Sequence, residues 1–260
     1  MSEFVKYEKQ NGVAHIVLNS PPANAMSPDV VRQLDEVVRK AKTDQEVRAV
    51  LFRSAVDKMF MAGADLKYLL SLKEEEFRQY IKTAQDGYNR IEALPKPTIA
   101  VLSGHTLGGG CELALSCDFR FISDSRATIG VPEVKLGLLP GAGGTQRLMR
   151  LVGRSKATEL LLQGNTLKAT EALAIGLVNR VFPADQLLPE SIKFAEELAQ
   201  GATQAIGRIK ECLRVPFQEA LSEGLAQELE GIAFLFVHTQ DAKEGIAAFN
   251  EKRPPKYVGR

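Results

Sequence analysis

The stretch Ser103-Gly-His-Thr-Leu-Gly-Gly-Gly-Cys-Glu-Leu-Ala-Leu115 decides how this chain is read. The apolar run Thr98–Leu102 before it has strand character, and a helical pattern follows it, so Gly108, Gly109 and Gly110 mark a strand-to-helix passage. Glycines in such a passage let a neighbour pack against bare backbone N–H groups at the positive end of a helix dipole. Glu112 lies within the first helical turn, where a carboxylate would repel a permanently bound anion. The combination suits a place where negative charge appears during a reaction, beside an acid or base. A simple close-packing role for the three glycines stays open at this point.

Neither glycine cluster is a nucleotide loop. No lysine follows in the P-loop arrangement, and the 1-3-6 spacing of a dinucleotide fingerprint fails because Leu113 and Gln146 stand where the last glycine belongs. Two further stretches extend the chemistry. In Ile129-Gly-Val-Pro-Glu-Val-Lys-Leu-Gly137 an acid, Glu133, follows a proline between apolar residues. Such a setting raises a carboxyl pKa and suits a general acid or base, although a buried, hydrogen-bonded carboxylate fits the same pattern. In Met61-Ala-Gly-Ala-Asp-Leu-Lys67, Asp65 is predicted to cap a helix starting at Leu66, leaving the Ala64 N–H free as a second donor beside that of Gly109.

Outward from these motifs, strand and helix signals alternate. Val13–Leu18, Val47–Phe52, Asp118–Ser123, Ala127–Gly130 and Val178–Phe182 read as strands. Ser27-Pro28 starts a helix with the apolar stripe Val30, Val31, Leu34, Val37, Val38 and Ala41; Ala64–Leu72 and Phe77–Leu94 are the next helices. Leu198–Lys252 reads as three amphipathic helices carrying more apolar face, from Leu213 and Val215 to Leu235 and Phe236, than they bury alone. A strand–strand–helix repeat with an all-helical tail predicts an α/β fold with a helical appendage that either folds over the core or, the favoured reading, packs against another subunit.

The 260 residues suffice for one large core, and the net charge of +1 gives no pull toward nucleic acid or a membrane surface. Cys111, Cys117 and Cys212 lack metal-ligand spacing and read as thiols in a cytoplasmic protein; the N-terminal residues show neither a secretory nor a transit pattern. His15, His105 and His238 read as structural.

The motifs Met61–Lys67, Gly104–Glu112, Pro132–Gly137 and Leu139-Pro-Gly-Ala-Gly-Gly-Thr-Gln-Arg147, with Asp241–Arg253 near the end, resemble those of the enoyl-CoA hydratase/isomerase (crotonase) family. The resemblance implies a crotonase-like spiral of repeated ββα units over residues 1–195 and a helical region for trimerisation over 196–260. It implies an oxyanion hole from the N–H groups of Ala64 and Gly109, and Glu112 and Glu133 as the catalytic acids. Coenzyme A is implied to lie along Pro22, Ala23, Ala25, Ala62, Ala64, Asp65, Leu66 and Lys67, with Phe249 and Lys252 reaching the nucleotide from a neighbouring subunit. The Gly141–Arg147 segment is expected beside the acyl pocket as a supporting turn. The 21-residue separation of Glu112 and Glu133 looks one longer than in typical mitochondrial hydratases, a difference that Ser123–Arg126 would absorb. Keeping both acids implies an enoyl-CoA hydratase acting on an acyl-CoA, without metal or redox cofactor, as a trimer or a hexamer. A Δ3-Δ2-enoyl-CoA isomerase, a hydratase for branched, aromatic or cyclic acyl groups and, more remotely, an RNA-binding relative are the alternatives.

Overall fold

The computed structural model describes residues 3–125, 127–214, 238–241, 244, 248 and 251–260. In chain order its elements are β1 (Val5–Gln10), β2 (Val13–Leu18), α1 (Pro28–Thr43), β3 (Ala49–Ser54), β4 (Met59–Met61), α2 (Leu66–Leu69), α3 (Glu74–Glu92), β5 (Thr98–Leu102), β6 (His105–Leu107), α4 (Gly109–Leu115), β7 (Phe119–Ser123) and β8 (Thr128–Gly130). A 3₁₀ turn, Glu133–Leu136, precedes α5 (Gly144–Val152), α6 (Arg154–Gln163), β9 (Thr166–Lys168), α7 (Ala169–Ala174), β10 (Arg180–Phe182), α8 (Ala184–Gln200) and α9 (Thr203–Leu213).

The strands form two sheets. Six make the order β1-β2-β3-β5-β7-β10, parallel except for the β1–β2 hairpin; the other four make β4-β6-β8-β9, parallel except for β9. Each successive strand pair, β3/β4, β5/β6 and β7/β8, gives its first member to the large sheet and its second to the small one. This is the strand–strand–helix repeat expected from the sequence.

The large sheet is buried on both faces, as parallel sheets generally are. Along β3, Val50 and Phe52 point into the main core with Ile16 and Leu102, while Ala49 and Leu51 point the other way. That second layer, with Ile99, Val101 and Phe121, is covered by Leu187, Ala195 and Ala199 of α8. Helix α1 starts where the sequence places it. Ser27 Oγ accepts from Val30 N–H, Pro28 occupies the first turn, and Val30, Val31, Leu34, Val38 and Ala41 are buried.

Several expectations need correction in detail. The helix predicted over Ala64–Leu72 is only the four residues of α2, with Asp65 as its N-cap and no buried residue to extend it. Strands β1, β4, β6 and β9 went unread, and β6 interrupts the passage from Thr98–Leu102 to the glycines. The 195/196 boundary falls inside α8. Of the expected tail helices, α9 is described; Val215, Phe217, Leu221, Leu225, Leu229, Ile232, Leu235 and Phe236 lie outside the described residues. The stretch expected to absorb the extra residue between Glu112 and Glu133 lies in the connection between β7, which ends at Ser123, and β8, which begins at Thr128; Arg126 lies outside the described residues. Among the described residues no helix is long and apolar enough to cross a membrane.

Candidate active site

Three neighbouring parallel strands of the small sheet deliver three loops to one end of it, where ligands of such sheets generally sit. From β4 the chain runs into Ala62–Ala64; from β6 into Gly108 and α4; from β8 into Pro132 and Glu133. The loops meet at very short range. A Cβ on Gly63 would lie 3.1 Å from the Gly109 nitrogen, and one on Gly110 would lie 2.3 Å from the Met61 carbonyl oxygen. Gly110 is thus the residue that lets α4 start against β4. Gly108 adopts φ 54°, a conformation that glycine reaches without steric cost, and its Cα faces the Glu133 carboxylate. Among the described residues neither the Ala64 nor the Gly109 N–H donates to a backbone carbonyl in the loops and turns. Ala64 is bridged to Met26, whose own N–H donates to Gly63 O at 2.8 Å.

The two carboxylates face one cleft of about 530 Å³, and they are held in opposite ways. Glu112 is 3 % exposed, and its Oε1 accepts from the Ala142 N–H at 2.7 Å and the Gly144 N–H at 2.8 Å. Burial raises its pKa; the two N–H groups and the Arg147 charge work against that rise. Glu133 lies in the first turn of the 3₁₀ segment, and its buried Oε2 has no hydrogen-bond partner among the described residues. Burial, seconded by the charge of Glu112, pushes its pKa up to about 7. Two acids whose surroundings separate their proton affinities can divide the work of base and acid. Ala64 and Gly109 line the same cleft as the two acids.

The enoyl-CoA hydratase/isomerase family model matches residues 8–260. The chain belongs to that family. It is 38% identical to a crotonyl-CoA hydratase of Syntrophomonas wolfei, with 99% of each chain covered. It is 40% identical to a short-chain-enoyl-CoA hydratase of Clostridium acetobutylicum, over 95% of this chain and 94% of that one. Among solved structures, an enoyl-CoA hydratase from Bacillus anthracis superposes with a TM-score of 0.93 at 36% identity, covering 99% of this chain and 100% of the other.

Within this crotonase frame, Ala62, Ala64, Leu66, Gly109, Glu112 and Glu133 come together on the cleft. Asp65 instead accepts from the Lys67 and Tyr68 N–H groups as a helix cap, and Lys67 is exposed beside it. Pro22, Ala23 and Ala25 are off the cleft wall, but their segment is tied to it, since the Ala62 N–H donates to Ala23 O at 3.0 Å. Lys252 is exposed, and Phe249 lies outside the described residues. His105 Nδ1 shares a hydrogen bond with Thr128 Oγ1, a structural role as expected.

Sequence reasoning points to the stretch Tyr68–Tyr88 for acyl preference without fixing its packing; there α3 supplies an apolar wall of the cleft through Phe77, Tyr80, Ile81 and Ala84. The signal was there, because this helix carries more apolar residues than its buried stripe of Tyr80, Ala84, Tyr88 and Ile91 requires. Sequence reasoning missed that the Gly141–Gly144 turn grips Glu112, a task performed by backbone N–H groups that no side-chain pattern reveals.

Proposed function

We propose that the protein is an enoyl-CoA hydratase, adding water reversibly and syn to a trans-2-enoyl-CoA to give a 3-hydroxyacyl-CoA in the cytoplasmic breakdown of acyl-CoA. The contrast between Glu112, clamped by two N–H groups, and Glu133, whose buried Oε2 on the same cleft has no partner among the described residues, carries this reading. The thioester oxygen sits between the Ala64 and Gly109 N–H groups. Glu112 takes a proton from water as the hydroxyl oxygen bonds to C3, the π electrons move through C2 to the thioester oxygen, and Glu133 gives its proton to C2. Each oxyanion donor is worth about 3 kcal/mol of barrier. Both acids address one face of the alkene, so addition is syn. The reaction is redox-neutral, and the groups named supply every proton.

Coenzyme A lies along Ala62–Lys67 with Pro22, Ala23 and Ala25 beside it, and the acyl chain lies against α3. Residues 196–260 join subunits into a trimer or a dimer of trimers, bringing Phe249 and Lys252 to the neighbour's nucleotide. Ile209 and Leu213 of α9, large apolar side chains left exposed, support that use of the tail. Light scattering should give a trimer or hexamer mass; a monomer would remove the intersubunit part of this reading.

The deciding experiment is turnover of crotonyl-CoA against a 3-enoyl-CoA. Hydration of crotonyl-CoA is expected to dominate. Faster conversion of the 3-enoyl substrate would make the protein an isomerase instead. A panel of longer and branched 2-enoyl-CoA substrates then fixes the acyl preference.

A further inference from the structure

Glu112 is aimed by a turn, and the turn is itself held by two side chains. The Gly141–Ala142 peptide donates its N–H to Glu112 Oε1, while its carbonyl accepts from Gln85 Nε2 at 2.8 Å. The carbonyl of the next peptide, that of Ala142, accepts from Arg147 Nη1 at 3.1 Å, and the peptide after that donates the Gly144 N–H to Glu112. Arg147 is in turn fixed by α3. Its Nε and Nη2 donate to Glu92 Oε2 at 3.0 and 2.8 Å, and Nη2 donates to Asn89 Oδ1 at 2.6 Å. Gln85, Asn89 and Glu92 fall at i, i+4 and i+7, one face of a helix. Gly143, at φ 108°, completes the fit, because a Cβ there would lie 2.2 Å from Arg147 Nη1.

We propose that Gln85 and Arg147 are positioning residues for Glu112, fixing two successive peptides of the Gly141–Gly144 turn so that its N–H groups hold one carboxylate oxygen and present the other to the cleft. Neither side chain need touch substrate for this. A peptide whose carbonyl is engaged donates more strongly from its N–H, so Gln85 reinforces the bond it orients. Arg147 adds a charge. The other titratable groups facing Glu112 are Glu133 from the 3₁₀ turn, Tyr80 and Tyr88 from α3, and Cys111 from α4. Burial holds both tyrosines and the cysteine neutral, which leaves Arg147 and Glu133 as the charges that matter.

The kinetic side of the test rests on the hydratase reading, and a spectroscopic side does not. In Gln85→Leu and Arg147→Met, kcat on crotonyl-CoA should fall about tenfold, the scale of a small misalignment, with KM unchanged. The acid limb of the pH profile should move to higher pH, further in Arg147→Met. Arg147→Lys should restore the limb but not kcat, separating charge from geometry. Carboxyl ¹³C NMR in a Glu133→Gln background should show Glu112 titrating at higher pH in both variants. A wild-type Glu112 titration in Gln85→Leu and Arg147→Met overturns the proposal, whatever the substrate proves to be. An inactive parent enzyme overturns only the hydratase reading. Should Arg147→Met fail to fold, Glu92→Gln removes the grip from a half-exposed side chain. It must move the Glu112 titration the same way by a smaller amount, and no movement is equally fatal.

Discussion

The two sheets of this protein are built to different ends. In the large one, the inner strands β2, β3, β5 and β7, of five or six residues, are largely buried on both faces, every side chain of β2 and β5 is inside, and two apolar layers sandwich the backbone. In the small one the strands are three residues long. Their C-terminal ends carry one carboxylate oxygen, Glu133 Oε2, without a partner among the described residues, and two glycines, Gly63 and Gly108, at positive φ. A buried oxygen left unpaired costs stability, and glycine gives up more backbone entropy on folding than other residues, so both persist only where the surroundings hold them. The large sheet supplies most of the surplus; the small sheet adds only a few side chains, such as Phe60, Met61 and Ile129, to the same core. Substitutions in one should therefore move stability, and in the other turnover.

The sharpest break between them is expected at the acids. Glu112→Gln and Glu133→Gln should each lower kcat about 10²- to 10⁴-fold on crotonyl-CoA, with a cooperative melt retained. Near-normal turnover in either would remove that residue from the mechanism. Next is Phe52→Ala, at a fully buried position of β3, which should cost about 3–5 kcal/mol in denaturant titration while leaving kcat per folded molecule intact. A parallel loss of kcat would show that the sheets are not separable in this way.

A third comparison uses pH. Glu133 has a folded pKa of about 7 against a reference of 4.5, so its neutral form is favoured by folding. Below pH 4.5 both folded and unfolded chains hold the proton and nothing is lost; as pH rises toward 7 the unfolded chain releases it first, and the native state loses stability. Glu133→Gln should therefore melt with the wild type at pH 4.5 and increasingly above it up to about pH 7, with a constant gap beyond. A gap that shrinks with rising pH has the wrong sign and would refute the buried-acid description. The same proton predicts that hydration slows as pH rises through about 7, the two acids titrating as a pair. The smallest expected effect lies under the large sheet. Ser27→Ala removes the cap of α1 and should cost about 1 kcal/mol, with no change in kcat.

This division also explains what could be read from the sequence. Thr98–Leu102 and Val13–Leu18 are long enough, and apolar enough, for strand character to show, and the Ser27-Pro28 start of α1 is a local signal. Three residues barely display a period of two, so β4, β6 and β9 went unread, β6 the more so for lying between Gly104 and Gly108. Strands β8 and β10, equally short, showed only within the slightly longer runs Ala127–Gly130 and Val178–Phe182. The polar edge strand β1 was missed because only Val5 of its six residues is buried. Glu112 and Glu133 were legible from their neighbours, a helix start and a proline in apolar company. The bonds from Ala142, Gly144, Gln85 and Arg147 were not, because they join distant segments largely through the backbone.

The parallel order of β4, β6 and β8 has an evolutionary consequence. Ala64, then Gly109 with Glu112, then Glu133, the groups proposed above as donors and acids, follow three separate strands of one small sheet. A lineage that exchanged Glu133 for another group would keep the proposed Ala64 and Gly109 donors and alter only what meets them. A reaction can be rewritten here one loop at a time, on a scaffold that does not register the edit.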